Sequence, residues 1–247
     1  MLPGPTLIVA CPTCGFLMTQ DTWLSYSIWN AVSWSDGSST DGGLQPECSE
    51  VSKCKDCDNF FWVEDVKVKK TLKFTLKHLR KKYKNIPSIE ALTLEEHCEA
   101  VSFRIAKTRS KEFYLRTHLW WNLNRVLNDK PKHYFGTFNI IKNKSLITAT
   151  DVDYWLGLQA TYEELEEIFE NNLIKLDTFL NEKNPEHRFK KAEIRRNLGD
   201  LEGCLKYLSD LPEGYDWVAK QIKREVKKKN TKLFKIKQAP LPKTMTA

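Results

Sequence analysis

Two pairs of cysteines with the same internal spacing constrain this chain more than any other feature. Cys11 and Cys14 form the first pair, and Cys54 and Cys57 form the second. Two residues between thiolates allow one tight turn to direct both sulfurs at the same point, and Gly15 supplies the left-handed backbone that often follows such a turn. Two such turns, brought together, make the closed tetrahedral shell of structural zinc. The spacing therefore predicts one Zn²⁺ ion held by all four thiolates.

Other interpretations of the pairs remain open. They could be unconnected, or one could be a redox pair, although a thioredoxin-like pair should open a helix between strands and neither does. Cys48 could be a spare or alternative ligand. The segment Ile8–Cys11 resembles a lipoprotein cleavage box, in which Cys11 would become the lipidated terminus. A catalytic zinc site keeps an open position and usually recruits histidine or carboxylate, so four thiolates favour a structural ion, and no catalytic residue is assigned.

Strand-like runs accompany both pairs. Thr6–Ala10 leads into the first pair and Phe60–Val63 follows the second. Residues 1–66 resemble a zinc ribbon, in which the elements follow the order strand, cysteine turn, hairpin, cysteine turn, strand. The 39 residues between Cys14 and Cys54 are more than such a hairpin needs. They contain Ala31–Gly37, a strand followed by an Asp-Gly turn signal, so we interpret the region as an elaborated hairpin.

Helical periodicity begins near residue 88. Thr93 is a candidate helix cap, with Glu96 completing a capping box. Further helices are predicted over 110–128, 161–181 and 215–229, with apolar residues at helical spacing. The chain between 129 and 160 is irregular, apart from a strand-like run at 138–141. Three side chains in the helices are expected to serve the core: Trp120, Cys98 and Cys204.

The segment Ala192–Leu208 resembles one tetratricopeptide repeat. The small residues of that family match Ala192 and Cys204, and its Gly-Asp turn matches Gly199 and the residue after it. Small residues let paired helices approach, and large ones fill the groove between them. A simple helical hairpin over 185–212 is the alternative. The whole chain resembles bacterial proteins that join an N-terminal zinc ribbon to a helical, tetratricopeptide-like region, a resemblance that implies an architecture but no activity.

Charge is distributed in blocks. Residues 1–66 carry two bases and nine acids, a net charge of −7, whereas 67–86 carry nine bases and no acid. Residues 220–247 carry ten bases and one acid. Leu72, Leu76, Leu79 and Tyr83 fit a helical stripe through the first basic block. Either basic block could bind nucleic-acid phosphate or an acidic partner, but the acidic ribbon would repel a nucleic-acid backbone.

These observations predict an α+β protein with four parts. They are a zinc ribbon with an elaborated hairpin (1–66), a basic connector (67–87), a mainly α-helical domain (88–238) with the tetratricopeptide-like hairpin near 185–212, and a flexible tail (239–247). No apolar run approaches the length of a membrane span, so we expect no membrane partner. The cysteines are too few for a disulfide scaffold and occur in metal-type pairs, so we expect a cytoplasmic protein. We expect a non-enzymatic zinc-binding adaptor that binds another protein through its helical region. Sequence-independent binding of nucleic acid through the basic blocks is the alternative.

Overall fold

The protein divides into two compact units, each assembled from two stretches of chain. The computed structural model describes residues 2–25, 31–40, 49–72, 83, 85–128, 162–209, 211–212 and 214–237. The N-terminal unit comprises Met1–Ala31 and Asp41–Ile105, and the helical unit comprises Val32–Thr40 and Ala106–Ala247. The predicted strand at 138–141, the tail at 239–247, and Cys48, Leu76 and Leu79 lie outside the described residues.

The described residues form mixed α and β structure. The strands are β1 (Leu2–Pro3), β2 (Thr6–Ala10), β3 (Leu17–Gln20), β4 (Trp23–Ser25), β5 (Val32–Trp34), β6 (Ser39–Thr40), β7 (Val51–Lys53), β8 (Phe60–Trp62), β9 (Lys67–Leu72) and β10 (Lys235–Ile236). The helices are α1 (Leu94–Ser102), α2 (Arg109–Asn128), α3 (Tyr162–Asp177), α4 (Pro185–Asn197), α5 (Leu201–Tyr207) and α6 (Asp216–Lys227). None of these helices is long and apolar enough to cross a membrane.

In the N-terminal unit, β2 is the central strand of an antiparallel sheet in the order β3-β2-β9. Strand β1 pairs with β4, and β7 pairs with β8. The run of apolar residues in β2 buries Val9 completely, and Met18 and Phe61 join it in one core that also contains Cys11 and Cys54. The strands predicted on either side of the cysteine pairs are therefore present as β2 and β8.

Strand β9 differs from the sequence prediction. A connector with a helical stripe is expected over 67–87, but Lys67–Leu72 pairs along β2, with Leu72 opposite Thr6. Only Leu72 is buried in this strand, and the five residues before it are exposed. The first basic block therefore begins as the edge strand of a sheet, because backbone pairing with β2 outweighs the helical spacing of its leucines.

Helix α1 begins with the predicted capping box. The backbone amide of Glu96 donates to the Thr93 hydroxyl at 3.2 Å, and the Thr93 amide donates to the Glu96 carboxylate at 2.9 Å. Two apolar residues of this helix, Leu94 and Ala100, are buried. Although α1 starts the helical half of the sequence, it belongs to the N-terminal unit.

The helical unit contains two apolar clusters. Trp120 of α2 is fully buried against Leu173 and Leu176 of α3 and Ile194 of α4. Ala192, Cys204, Leu208, Ala219, Ile222 and Val226 form the second cluster, which joins α4, α5 and α6. Gly199 turns the chain between α4 and α5 with φ of +80°. Trp120 and Cys204 are core residues as predicted, and the predicted helices over 110–128, 161–181 and 215–229 correspond to α2, α3 and α6.

A hairpin from the N-terminal half of the sequence completes the helical unit. Strands β5 and β6 pair across the predicted Asp-Gly turn, where Gly37 has φ of +83°, and β10 pairs with the other edge of β5. Asp36 is fully buried in the turn. The indole of Trp121 donates to its carbonyl at 3.1 Å, and the Asn124 amide donates to its carboxylate at 2.9 Å. The hairpin thus belongs to the helical unit and not to the predicted ribbon over 1–66.

Candidate metal centre

The structure brings the four cysteines of the two pairs together. All four sulfurs lie within 4.8 Å of one another. Across the pairs, the Cys11 and Cys57 sulfurs are 3.9 Å apart and those of Cys14 and Cys54 are 3.7 Å apart. Four sulfurs placed tetrahedrally about 2.3 Å from one ion would be separated by about 3.8 Å. The cluster therefore has the dimensions of a four-thiolate metal site.

The first cysteine turn is held by backbone hydrogen bonds. Strand β2 ends at Ala10, and the amide of Cys11 then donates to the carbonyl of Phe16 at 2.8 Å. The amide of Gly15 donates back to the Cys11 carbonyl at 3.0 Å, and Gly15 has φ of +78°. The Thr13 amide points at the Cys11 sulfur from 3.4 Å, which stabilises negative charge on it.

The second cysteine turn repeats the first at equivalent positions. The amide of Cys54 donates to the carbonyl of Asn59 at 3.0 Å, and the amide of Asp58 donates to the Cys54 carbonyl at 3.0 Å. Asp58 has φ of +54° and therefore occupies the position that Gly15 holds in the first turn. Aspartate tolerates the left-handed region better than most residues. Sequence reasoning missed Asp58, although its offset from the first cysteine of its pair is the same as that of Gly15.

The cluster lies at the edge of the core of the N-terminal unit. Cys11 and Cys54 are buried beside Met18 and Phe61, whereas Cys57 is half-buried and Cys14 is exposed. The first cysteine of each pair is thus part of the apolar core, and the second faces outward. An ion bound here would join the turn after β2 to the turn between β7 and β8.

Three thiols of the cluster have shifted pKa values, because hydrogen bonds, loss of solvent and neighbouring sulfurs act on them to different extents. Hydrogen bonds from Asn59 lower the pKa of Cys57 to about 7. A hydrogen bond from the Phe16 backbone favours the Cys14 thiolate, but loss of solvent around its sulfur and hydrogen bonds with the neighbouring sulfurs raise the pKa of Cys14 to about 12. Burial also raises the pKa of Cys54. Four adjacent thiolates require a cation to neutralise them, which is the electrostatic demand that a metal ion meets.

Cys98, Cys204 and His97 lie outside the cluster. Cys98 is half-buried and Cys204 is fully buried, and burial raises the pKa of Cys204 to about 12 and that of Cys98 to about 11. His97 is buried with its Nδ1 atom 3.1 Å from the Thr93 carbonyl oxygen. Among the described residues, the four-cysteine cluster is the one group of three or more His, Cys, Asp or Glu side chains that could hold a metal ion.

Comparison with protein-family models, curated proteins and solved structures finds no match to this chain. What the centre can do therefore follows from its own geometry. Four sulfur donors favour soft or borderline metals.

Proposed function

We propose that this chain is a non-enzymatic zinc-binding protein in which one Zn²⁺ ion stabilises the N-terminal unit. The observation that carries this proposal is the spacing of the cysteine sulfurs, 3.7 and 3.9 Å across the pairs, which matches a tetrahedral zinc–thiolate shell. Cys11, Cys14, Cys54 and Cys57 would hold the ion. When bound, it supplies a cross-link and neutralises thiolate charge.

The repeated geometry of the two turns supports a structural role for the ion. Each turn closes by the same pair of backbone hydrogen bonds, so the sulfurs are positioned by the backbone of both turns. The strands of this unit are short, and four of them (β1, β4, β7 and β8) have only two or three residues each. Short strands have little pairing to stabilise them, so a metal cross-link would contribute much of the stability of the unit. A zinc–thiolate shell also suits a reducing compartment, and we propose the cytoplasm.

For the helical unit we propose binding of another protein. The α4–α5 hairpin resembles a tetratricopeptide unit, and its two small residues, Ala192 and Cys204, are both fully buried where the helices meet. The resemblance of the hairpin carries this proposal. Leu205, which follows Cys204 on α5, is 41% exposed and is the apolar side chain of α5 that tests it. This protein would therefore act as an adaptor with a zinc-stabilised N-terminal unit.

Metal analysis of the purified chain tests the zinc proposal. We expect about one zinc ion per chain by mass spectrometry of the metal, and near loss of zinc in Cys54→Ser, because three thiolates leave the tetrahedral shell open. The matched control is Cys98→Ser, which removes a half-buried thiol that is not in the cluster and should keep the ion. A wild-type chain that binds no zinc after refolding with it, or equal zinc contents in both variants, would contradict the proposal.

A pull-down from the native host tests the adaptor proposal. The tagged chain is divided into nuclease-treated and untreated halves, and the recovered proteins are compared with those recovered by Leu205→Glu. A stoichiometric protein that survives nuclease and is lost with Leu205→Glu would support binding through α5. The control is Ile174→Glu, which adds the same charge at a 60% exposed position on α3. Recovery that disappears with nuclease would replace the adaptor by the nucleic-acid alternative.

A further inference from the structure

A basic groove with an exposed tryptophan lies on the surface of the helical unit. It has a volume of about 430 Å³ and runs along α6 to the end of β10. Its lining includes one aromatic ring, one amide, three bases and one acid: Trp217, Gln221, Lys220, Arg224, Lys237 and Asp216. Neither the zinc proposal nor the adaptor proposal uses this surface.

Helix α6 forms the groove because it is strongly amphipathic. Val218, Ala219, Ile222 and Val226 are buried against the helical unit. Positions three and four residues apart share one face of a helix, so Trp217, Lys220, Gln221 and Arg224 form a stripe on another face. The groove therefore consists of polar and aromatic side chains that the core of the unit does not use.

Gln221 fixes the second wall of the groove. Its side-chain amide donates to the carbonyl of Lys237 at 3.0 Å and accepts from the amide of Lys237 at 2.9 Å. It also donates to the carbonyl of Trp217 at 3.3 Å. Because the backbone of Lys237 is held against α6 in this way, Lys237 contributes to the lining of the groove from outside the helix.

The basic side chains of the groove form no ion pair with any acid among the described residues. Within the described part of the chain, no carboxylate forms an ion pair with Lys220, Arg224 or Lys237. The next acid on the helix, Glu225, is already bound by Lys228 at 2.6 Å and Asn230 at 2.8 Å. Of the described residues that line the groove, Asp216 is the one acid, and it lies beside Trp217 at the start of α6. Positive charge is therefore concentrated towards the other end of the groove.

We propose that this groove binds single-stranded nucleic acid. The Trp217 ring, on a residue that is 36% exposed, would stack on one base, and Lys220, Arg224 and Lys237 would contact the adjacent phosphates. Proteins that bind single strands without reading their sequence place aromatic side chains, on which nucleobases stack, beside basic side chains. A volume of about 430 Å³ lies within the range of pockets that take small-molecule ligands, which is the scale of one nucleotide. The aromatic ring distinguishes this ligand from an acidic peptide, which needs only the bases.

Fluorescence anisotropy on the zinc-loaded full chain tests the proposal. The probe is a labelled single strand of about 12 nucleotides, a length within the range of single-strand binding sites. Competitors are the matching duplex, a mononucleotide and polyglutamate. We expect the unlabelled single strand to compete best. Each phosphate contact should contribute about −0.7 to the slope of log affinity against log salt, so three contacts give about −2.

Substitutions separate stacking of a nucleobase on Trp217 from general electrostatic attraction of the strand. Trp217→Ala should weaken binding about tenfold, and Trp217→Phe should restore most of it, because base stacking needs an aromatic ring. Lys220→Ala should weaken binding and make the salt slope shallower by about 0.7. Lys232→Ala is the matched control, since it removes one exposed base of the same block that does not line the groove. Asp216→Asn should strengthen binding.

Two results would overturn the proposal. One is an equal effect of Trp217→Ala and Lys232→Ala on affinity, which would mean that the ring is not part of the site. The other is displacement of the single strand by polyglutamate or duplex at the same charge concentration, which would mean that the surface attracts any polyanion. Circular dichroism of each variant verifies that the helices are retained. Neither result affects the zinc content of the chain or the recovery of a nuclease-resistant protein through Leu205, so failure of this proposal is distinguishable from failure of the proposed function.

Discussion

At the scale of single residues, the helical unit contains a charged pair with no exposure to solvent. Glu193 and Arg196 are both fully buried and form an ion pair one turn apart on α4. The guanidinium of Arg196 also donates to the Ser35 hydroxyl at 3.3 Å and lies 4.9 Å from the centre of the Phe234 ring. Because each charge is stabilised mainly by the other, removal of either one leaves an uncompensated charge in the core.

Arg196→Met should therefore lower the free energy of unfolding of the helical unit by about 3–5 kcal/mol. Urea unfolding followed by circular dichroism measures the change. The double variant Glu193→Leu with Arg196→Met is the control, because replacing both charges by apolar groups of similar volume removes the uncompensated charge. We expect it to recover most of the lost stability. A single variant as stable as the wild type would show that the pair does not depend on mutual compensation.

Asp36 makes the stability of the helical unit depend on pH. Its carboxylate accepts from the amide of Ser38 at 2.9 Å, from the Ser38 hydroxyl at 2.7 Å and from Asn124 at 2.9 Å, yet burial outweighs these bonds and raises the pKa of Asp36. A carboxyl with a higher pKa in the folded state than in the unfolded state binds protons more tightly when folded. Stability therefore increases as the pH falls through the folded pKa and is fully present below the unfolded pKa.

Asp36→Asn should remove this dependence. The difference in unfolding free energy between wild type and variant should shift in favour of the wild type as the pH is lowered from about 7 to about 4, by about 1.4 kcal/mol for each unit by which folding raises the pKa. Urea unfolding at a series of pH values measures it, and the comparison with the variant removes the titration of all other groups. A difference that stays constant with pH would contradict the assignment.

At the scale of elements, the sequence predicts what local chemistry determines. The capping box of α1 was predictable because Thr93 and Glu96 act on backbone groups three residues away. Strand β9 was not predictable in this way. Its apolar residues fit a helix equally well, and its strand conformation depends on pairing with β2, which lies about 60 residues earlier in the chain. The left-handed backbone of Asp58 was predictable only in part, because nothing but a comparison of the two cysteine turns indicates it.

The cap of α1 offers a direct test at this scale. Thr93→Ala removes the hydroxyl that accepts from the Glu96 amide, so we expect the N-terminal unit to lose about 1 kcal/mol of unfolding free energy. Hydrogen exchange of the first-turn amides, compared with urea unfolding, would locate the loss at the start of the helix. Thr93→Ser is the control and should retain most of the stability. An equal loss in both variants would assign the effect to the methyl group of threonine rather than to the cap.

At the scale of the whole molecule, the compact units do not follow the order of the sequence, because each contains two separate stretches of chain. The hairpin of β5 and β6 was correctly predicted from its turn residues, but its placement in the helical unit depends on Asp36 contacting Trp121 and Asn124, more than 80 residues later. Nothing in the hairpin's own sequence identifies those partners. The cysteine cluster was predictable for the opposite reason, because two-residue spacing and thiolate chemistry restrict each turn before any tertiary contact forms.

Removal of the metal tests whether the two units depend on each other for stability. All four cysteines belong to the N-terminal unit, whereas five of the six described helices belong to the helical unit. A strong zinc chelator should therefore abolish hydrogen-exchange protection in β2, β7 and β8 and leave most of the helical circular dichroism, because metal-binding free energy contributes to the folding of the unit that supplies the ligands. Added zinc should restore the protection, and a calcium-selective chelator is the control. Loss of the helical signal together with the strand protection would mean that both units fold as one cooperative structure.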